Sequence, residues 1–489
     1  MARKKKASRR PAATAAPAAA SPFEPDDVAP GVGEYGAETT GRSVVTVLDD
    51  SPNAMKSVLA ALKKSAGVSK VCRMSDFQTE AFDAQDTQDA DAIVFDELNI
   101  AIVPGDGGRT AAMTTMASAG DAGIIVEPEY VNYAFGDAGL DSDLLDGGVL
   151  DDVTSGTAPM GPMGLSIDYL HGYQQAVNAL VQSLTGGRGL QAGGTDLVGL
   201  AGEVRDTAAA TWGLQATRVL QSRFSGRGIR VAVLDTGIDL RHPDFAGRLL
   251  STRSFIPGES VQDGNGHGTH CIGTSCGAVR PGVGPRYGIA HEAQIFAGKV
   301  LSNAGSGNDG GILQGINWAL QNRCQVISMS LGRPVAVGER PMSSYEIAGR
   351  RALDAGCLIV AAAGNDSARP SVVRPVSSPA NASTIVGVAA IDANLRIASF
   401  SNRGINPAGG EVNIAGPGVG VLSSWPMPQR LRSISGTSMA TPHVAGIAAL
   451  IAQELPSARG VQLYRELWRR ARRLPHSFAD VGNGLVEAT

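Results

Sequence analysis

Hydrophobic and polar positions change rhythm several times along this chain. From Ser43 the β-branched run Val44–Leu48 is followed by Asn53–Ala66, where Met55, Val58, Leu59 and Leu62 recur at helical spacing, and then by alternation over Lys70–Met74. Ala92–Phe95 and Ile100–Val103 are further strand material, Gly108–Ala119 reads as a helix and Ile124–Val126 as a last strand. Beyond Thr211 the pattern becomes one of continuous apolar runs: Gly228–Leu234, Ala293–Val300, Val326–Ser330, Leu358–Ala363 and Thr384–Ala389. Amphipathic or small-residue helical segments separate them, as expected of strands buried on both faces of a parallel sheet.

The first set, taken in order, predicts a small α+β domain of the ferredoxin-like, split βαβ kind over residues 43–135. Residues 1–42 lack apolar periodicity; they are Ala- and Pro-rich behind a basic cluster (Arg3, Lys4, Lys5, Lys6, Arg9, Arg10) and read as a disordered tail. Residues 136–210 carry Asp137, Asp141, Asp143, Asp146, Asp151 and Asp152 among Gly and Ser, then one helical stretch, Ile167–Leu184. They are expected to be an acidic, Gly-rich linker. Residues 211–489 form the α/β domain.

Composition narrows this picture only modestly. With 489 residues, 43% hydrophobic and 18% charged, the chain has enough apolar material for more than one core. A net charge of -4 gives no whole-molecule attraction to nucleic acid or an anionic membrane, so no nucleic-acid partner is expected. The run Arg465, Arg469, Arg470, Arg472 and Arg473 reads as the solvated face of a helix. No stretch of about 20 apolar residues predicts a membrane span, and the basic N-terminus is not followed by the apolar core of a secretory signal. The expectation from this is a cytoplasmic protein, with export by an unusual route left open. Five cysteines without a CxxC pair predict free thiols and no zinc site.

Three segments carry chemistry. Arg230–Leu234 delivers Asp235 to the carboxyl end of a strand, ahead of Thr236-Gly237. The segment Asp263-Gly264-Asn265-Gly266-His267-Gly268-Thr269-His270-Cys271 is a glycine loop that presents an imidazole where a helix begins. Ser435-Gly436-Thr437-Ser438-Met439-Ala440-Thr441-Pro442-His443 places a hydroxyl at another helix start, whose free N–H groups favour developing negative charge. A hydroxyl nucleophile needs a base, and the base an orienting partner; His267 and Asp235 are the available candidates. Metal ligation by His267, His270 and Cys271 is the weaker alternative, because no further ligand cluster stands nearby in sequence.

These blocks, in this order, resemble the Asp, His and Ser blocks of the subtilisin-like serine proteases (subtilases), and His-Gly-Thr-His-Cys most resembles the proteinase K branch. The resemblance covers roughly Trp212–Ala488. It implies a serine endopeptidase with a subtilisin-like parallel sheet flanked by helices, and a triad of Asp235, His267 and Ser438. Asn365, after Leu358–Ala363, corresponds to the family's oxyanion donor, beside the backbone N–H of Ser438. Gly305, Ser306, Gly307 and Ser330, Leu331, Gly332 match the two segments between which polypeptide substrates extend, and Ala361, Ala362, Ala363 and Gly364 match the wall of the first specificity pocket. Residues 43–135 are then expected to be an inhibitory prodomain, the chain's own intramolecular partner, whose final strand Ile124–Val131 is similar to the end of the family's prodomains and leads into the active-site cleft, with self-cleavage between Phe135 and Gly136. The chemistry is expected to need no cofactor; structural calcium is an expectation at Asp244, Glu411 and Asn413. The competing reading is a catalytically silent protease fold that binds or scaffolds a partner, against which the intact triad and Asn365 count.

Overall fold

The structure, a computed structural model, describes residues 37–49, 51, 53–77, 90–105, 107–118, 123–135 and 203–489. The expected helix at 167–184 and Gly136 lie outside the described residues.

Among the described residues the small domain has five strands: β1 (Thr39–Val47), β2 (Val71–Arg73), β3 (Ala92–Phe95), β4 (Ile100–Pro104) and β5 (Ile124–Ala134). β1 lies between β4 and β5, antiparallel to both; β3 pairs antiparallel with β4, and β2 adds a parallel edge beside β3. Period-two alternation sorts the side chains. Val45, Val47, Val94, Ala101 and Val103 face the helices Ala54–Ala66 and Gly107–Ser118, where Met55, Val58, Leu62 and Met113 meet them. Val44, Ile93, Phe95, Ile100 and Ile102 turn the other way and join the core of the large domain. Each fully buried Val or Ile contributes about 1.5–3 kcal/mol, so this second face holds the two domains together. β1 begins at Thr39, earlier than expected, because its first residues are tied to β5: Arg42 makes a two-pronged ion pair with Glu129, and Thr40 donates to the same carboxylate.

The large domain is built on β6 (Arg230–Asp235), β7 (Leu250–Ser254), β8 (Gln294–Lys299), β9 (Ser306–Asn308), β10 (Val326–Met329), β11 (Leu331–Gly332), β12 (Leu358–Ala362), β13 (Val386–Ile391), β14 (Ile414–Pro417), β15 (Val421–Trp425) and β16 (Arg430–Ile434). Seven of these form one parallel sheet in the order β14-β13-β12-β10-β6-β8-β7, and β15–β16 is a separate hairpin. The helix Thr437–Glu454, rich in Ala and Gly, is buried along nearly its whole length beside this sheet. Residues 203–210, expected as linker, attach to the large domain: Val204 N–H donates to Ala393 O and Arg286 N–H to Ala209 O.

β5 continues past Val126, where the apolar run ends, and past Val131, where the resemblance ends the strand, to Ala134. Its last residues run between β9 and β11, antiparallel to both, with Val131 opposite Asn308, Asn132 opposite Gly307, Tyr133 opposite Ser306 and opposite Gly332, and Ala134 opposite Leu331. Two of its carboxylates reach helix starts of the large domain. The Glu127 carboxylate accepts from Ser343 and Ser344 N–H at the start of the helix Ser343–Asp354 (2.8 and 3.1 Å), and Glu129 accepts from Gly310 N–H in the first turn of the helix Asp309–Gln321 (2.9 Å). Each carboxylate meets donors that a helix start leaves unbonded.

Candidate functional site

The carboxyl ends of the parallel strands bring the three sequence blocks together. β6 ends on Asp235, which is 1% exposed; its Oδ1 accepts from Thr236 N–H (2.7 Å) and sits 2.8 Å from His267 Nδ1. His267 opens the helix His267–Cys276 behind the glycine loop, and Ser438 lies in the first turn of Thr437–Glu454. The Ser438 hydroxyl donates to Ser330 O (3.0 Å), while His267 Nε2 is buried without a partner. Cys271 spans the gap between the two, its sulfur 3.9 Å from His267 Nδ1 and 3.6 Å from Ser438 O.

Electrostatics follow from burial. Desolvation works against an imidazolium at His267, but the Asp235 carboxylate outweighs it and holds the ring well above the ordinary histidine value. Burial pushes the Cys271 thiol up, which keeps it neutral at neutral pH. His270 is a core histidine: its Nε2 lies 2.9 Å from Val421 O and 3.2 Å from Arg432 O, bridging the β15–β16 hairpin, and burial pushes it down to about 3.

Asn365 follows β12. Its Oδ1 accepts from Thr437 N–H (2.9 Å) and Thr437 Oγ1 (2.8 Å), which leaves Nδ2 buried and without a partner. A Cβ placed on Gly436 would lie 3.0 Å from that Nδ2 and 3.5 Å from the carbonyl oxygen of Phe135. The end of β5 thus brings a backbone carbonyl to the neighbourhood of the free amide. The Phe135 ring lies against Gly332, where any Cβ would come within 2.8 Å of the ring and 2.2 Å of Ser378 O. Ser306, Gly307, Leu331 and Gly332 flank β5 as its two strand partners, and Gly305 O accepts from Ala134 N–H (2.8 Å). Ser330 bonds Ser438 in both directions, its own hydroxyl donating to Ser438 O (2.8 Å). Ala361, Ala362 and Ala363 are fully buried beside β10, with Gly364 next in the chain.

Asp244 on the one hand and Glu411 with Asn413 on the other were the two positions expected for structural calcium. Asp244 spends its oxygens on Gly282 N–H (3.0 Å) and Tyr287 OH (2.6 Å), Asn413 Oδ1 accepts from Gly387 N–H (2.6 Å), and Glu411 is exposed. Among the described residues, the cluster of three His, Cys, Asp or Glu side chains close enough to share an ion is Asp235, His267 and Cys271. Its members are engaged with one another, and Cys271 also with Ser438 O. All five cysteines are buried, and none is in a disulfide.

Sequence reasoning missed the groups that hold this constellation in place. Asp263, 3% exposed, accepts from Thr236 Oγ1 (2.9 Å), Gly266 N–H (2.8 Å) and Thr269 N–H (2.9 Å), pinning the loop ahead of His267 to the turn after Asp235. Lys299, fully buried, donates to Thr236 O (2.6 Å) and Asn303 Oδ1 (3.0 Å) and pairs with Glu259. A charged residue at the end of an apolar strand was the one available signal.

The comparisons with known proteins agree with this geometry. The family model described as "Subtilase family" matches residues 226–484. The chain is 42% identical over 281 residues to Subtilisin Savinase of Lederbergia lenta (57% of this chain, 96% of that protein) and 42% identical over 281 residues to M-protease of Shouchella clausii (57% and 68%). It is 41% identical over 290 residues to a thermostable alkaline protease of Halalkalibacterium halodurans (58% and 74%). These relatives specify the family and not the proteinase K branch within it. They also correct the cytoplasmic expectation: they are secreted enzymes, and the expectation rested only on a signal not recognised in the sequence. Among the described residues no helix is long and apolar enough to cross a membrane.

Proposed function

We infer, because this chain belongs to the subtilase family of serine endopeptidases, that Asp235, His267 and Ser438 are its catalytic triad and that residues 37–135 act as a built-in inhibitor. The observation that carries this reading is the placement of β5. It lies between β9 and β11 as an extended peptide adds to strand edges, and it delivers Phe135 to Gly332 and its carbonyl to the region of Asn365.

The chemistry follows from the atoms. His267 Nε2 takes the Ser438 proton as Oγ attacks the substrate carbonyl, and the Nδ1 contact with Asp235 fixes the ring and stabilises the imidazolium. Asn365 Nδ2, already turned away from Thr437, meets the oxygen that becomes negative. His267 then returns the proton to the leaving amine, and water releases the acyl group by the reverse sequence. Ser438 must leave its hydrogen bond to Ser330 O for this, a rotation of one hydroxyl.

Casein hydrolysis by the matured protein should be abolished by a serine-directed fluorophosphonate and reduced in Ser438→Ala on the order of 10⁶-fold, the size of the loss for a nucleophile in this class of enzyme. Undiminished hydrolysis by Ser438→Ala would remove Ser438 from the mechanism. Absence of hydrolysis by the wild type would leave the binding or scaffold reading.

A further inference from the structure

Two side chains near the end of β5 are swallowed by the large domain. Phe135 is 8% exposed and Asn132 0%, whereas Tyr133 between them is 43% exposed. Phe135 occupies the position expected of the residue before the cut bond. Asn132 enters a second recess, and the recess is not an apolar one. At its floor stands Asp309, fully buried in the first turn of the helix Asp309–Gln321. The Asp309 Oδ1 atom accepts from Asn132 Nδ2 at 2.7 Å and from the Tyr345 hydroxyl at 2.8 Å, and Oδ2 accepts from the backbone N–H of Tyr130 at 2.7 Å.

We propose that this enzyme selects asparagine three residues before the residue that precedes the cut bond, through the buried carboxylate of Asp309. The inference rests on the reading of β5 as the path of a substrate.

The physical case is one of satisfaction. A carboxylate out of water must be met by donors. Here two of the three come from the segment lying in the cleft, and only Tyr345 belongs to the large domain besides Asp309 itself. Burial pushes Asp309 up to about 6 even so. The backbone N–H is supplied by any peptide, so the side-chain donor is the part that discriminates. A leucine in place of the asparagine would strand Oδ1 with a single partner, and a site built around a hydrogen bond rejects an analogue that lacks it far more strongly than an apolar pocket rejects a missing methylene. Lysine and arginine would bring donors but also a longer stem. Asn132 is already fully enclosed beside the fully buried Tyr345, so there is no room for the extra methylenes.

The test uses the enzyme matured from the full chain and peptides built on acetyl-Tyr-Val-Xaa-Tyr-Ala-Phe, the chain's own residues 130–135 with position 132 varied, followed by a common leaving segment. The wild type should cut the asparagine peptide with a kcat/KM roughly ten- to a hundredfold above that of the leucine peptide, and Asp309→Leu should reverse the order. Cleavage of both peptides after Phe with equal efficiency, or a preference for leucine, lysine or arginine in the wild type, overturns the proposal while leaving the peptidase reading intact. Retention of the asparagine preference by Asp309→Leu also overturns it. Cleavage of neither peptide removes the peptidase reading, and this proposal with it. The wild-type ratio alone decides the matter where the variant does not fold.

Discussion

At the scale of single residues, the site is a contest between burial and charge, and His267 shows who wins. Burial alone would push the imidazole down; the Asp235 carboxylate at 2.8 Å reverses the sign. A general base works only when neutral, and a raised value keeps the proton on to higher pH. The acidic limb of kcat/KM should therefore lie above 6.5, with activity lost as pH falls through it. Asp235→Asn removes the carboxylate, so the limb should move to lower pH while the rate falls on the order of 10⁴-fold, the usual loss when the orienting aspartate of such a triad is neutralised. An unmoved limb in a pH-rate profile of that variant would mean that Asp235 does not set the charge of His267. Residue identity made this pair readable in the sequence, because Asp235 and His267 sit in distinctive blocks. Asp309 was not readable: an aspartate in a first helical turn is ordinary, and its burial depends on a strand 177 positions away, at Asn132.

Elements tell a similar story about what periodicity reveals. β6, β8, β10, β12 and β13 were legible because both faces of the sheet are covered and the strands are nearly all apolar. β7 (Leu-Ser-Thr-Arg-Ser) was missed because an edge strand with exposed or half-exposed residues has no such run, and β14 because Ile-Ala-Gly-Pro ends in turn-like residues. The extension of β5 past Val126 was hidden from periodicity and legible only through the family resemblance. Glu127, Glu129 and Asn132 look like loop residues, and only the two helix starts and Asp309 make them strand residues. Those carboxylates are accordingly predicted to carry much of the inhibitor's grip. Glu127→Gln keeps the shape and loses the charge that faces Ser343 and Ser344 N–H. It should weaken the hold of the cleaved segment by about 1–2 kcal/mol, or roughly 5- to 30-fold in an inhibition constant measured by titrating the segment against the mature enzyme. An unchanged constant would assign the grip to the apolar face of Val44, Ile100 and Ile102 alone.

On the scale of the whole molecule, the two domains were visible in the sequence as two rhythms, while the strand that makes them one object was expected from the family resemblance and not from the rhythm. Because β5 is continuous with the small domain and its end runs between β9 and β11, a bond after Phe135 would meet Ser438 within the same chain, at a local concentration that no separate substrate reaches. We read the Phe135 carbonyl near Asn365 Nδ2 and the ring against Gly332 as the marks of a scissile position after Phe135. We therefore predict that the full chain cuts itself between Phe135 and Gly136 and that the small domain stays bound afterwards, held by strand pairing and by the face it shares with the large domain. Terminal sequencing of the matured protein should find Gly136, or a later residue of 137–210 after trimming, at the new N-terminus, and Phe135 at the end of the released segment. Ser438→Ala should remain uncut. An active wild type that stays full length, or a Ser438→Ala chain cut at the same bond in isolation, would show that the strand in the cleft is a permanent fitting and that maturation, if any, is the work of another protease.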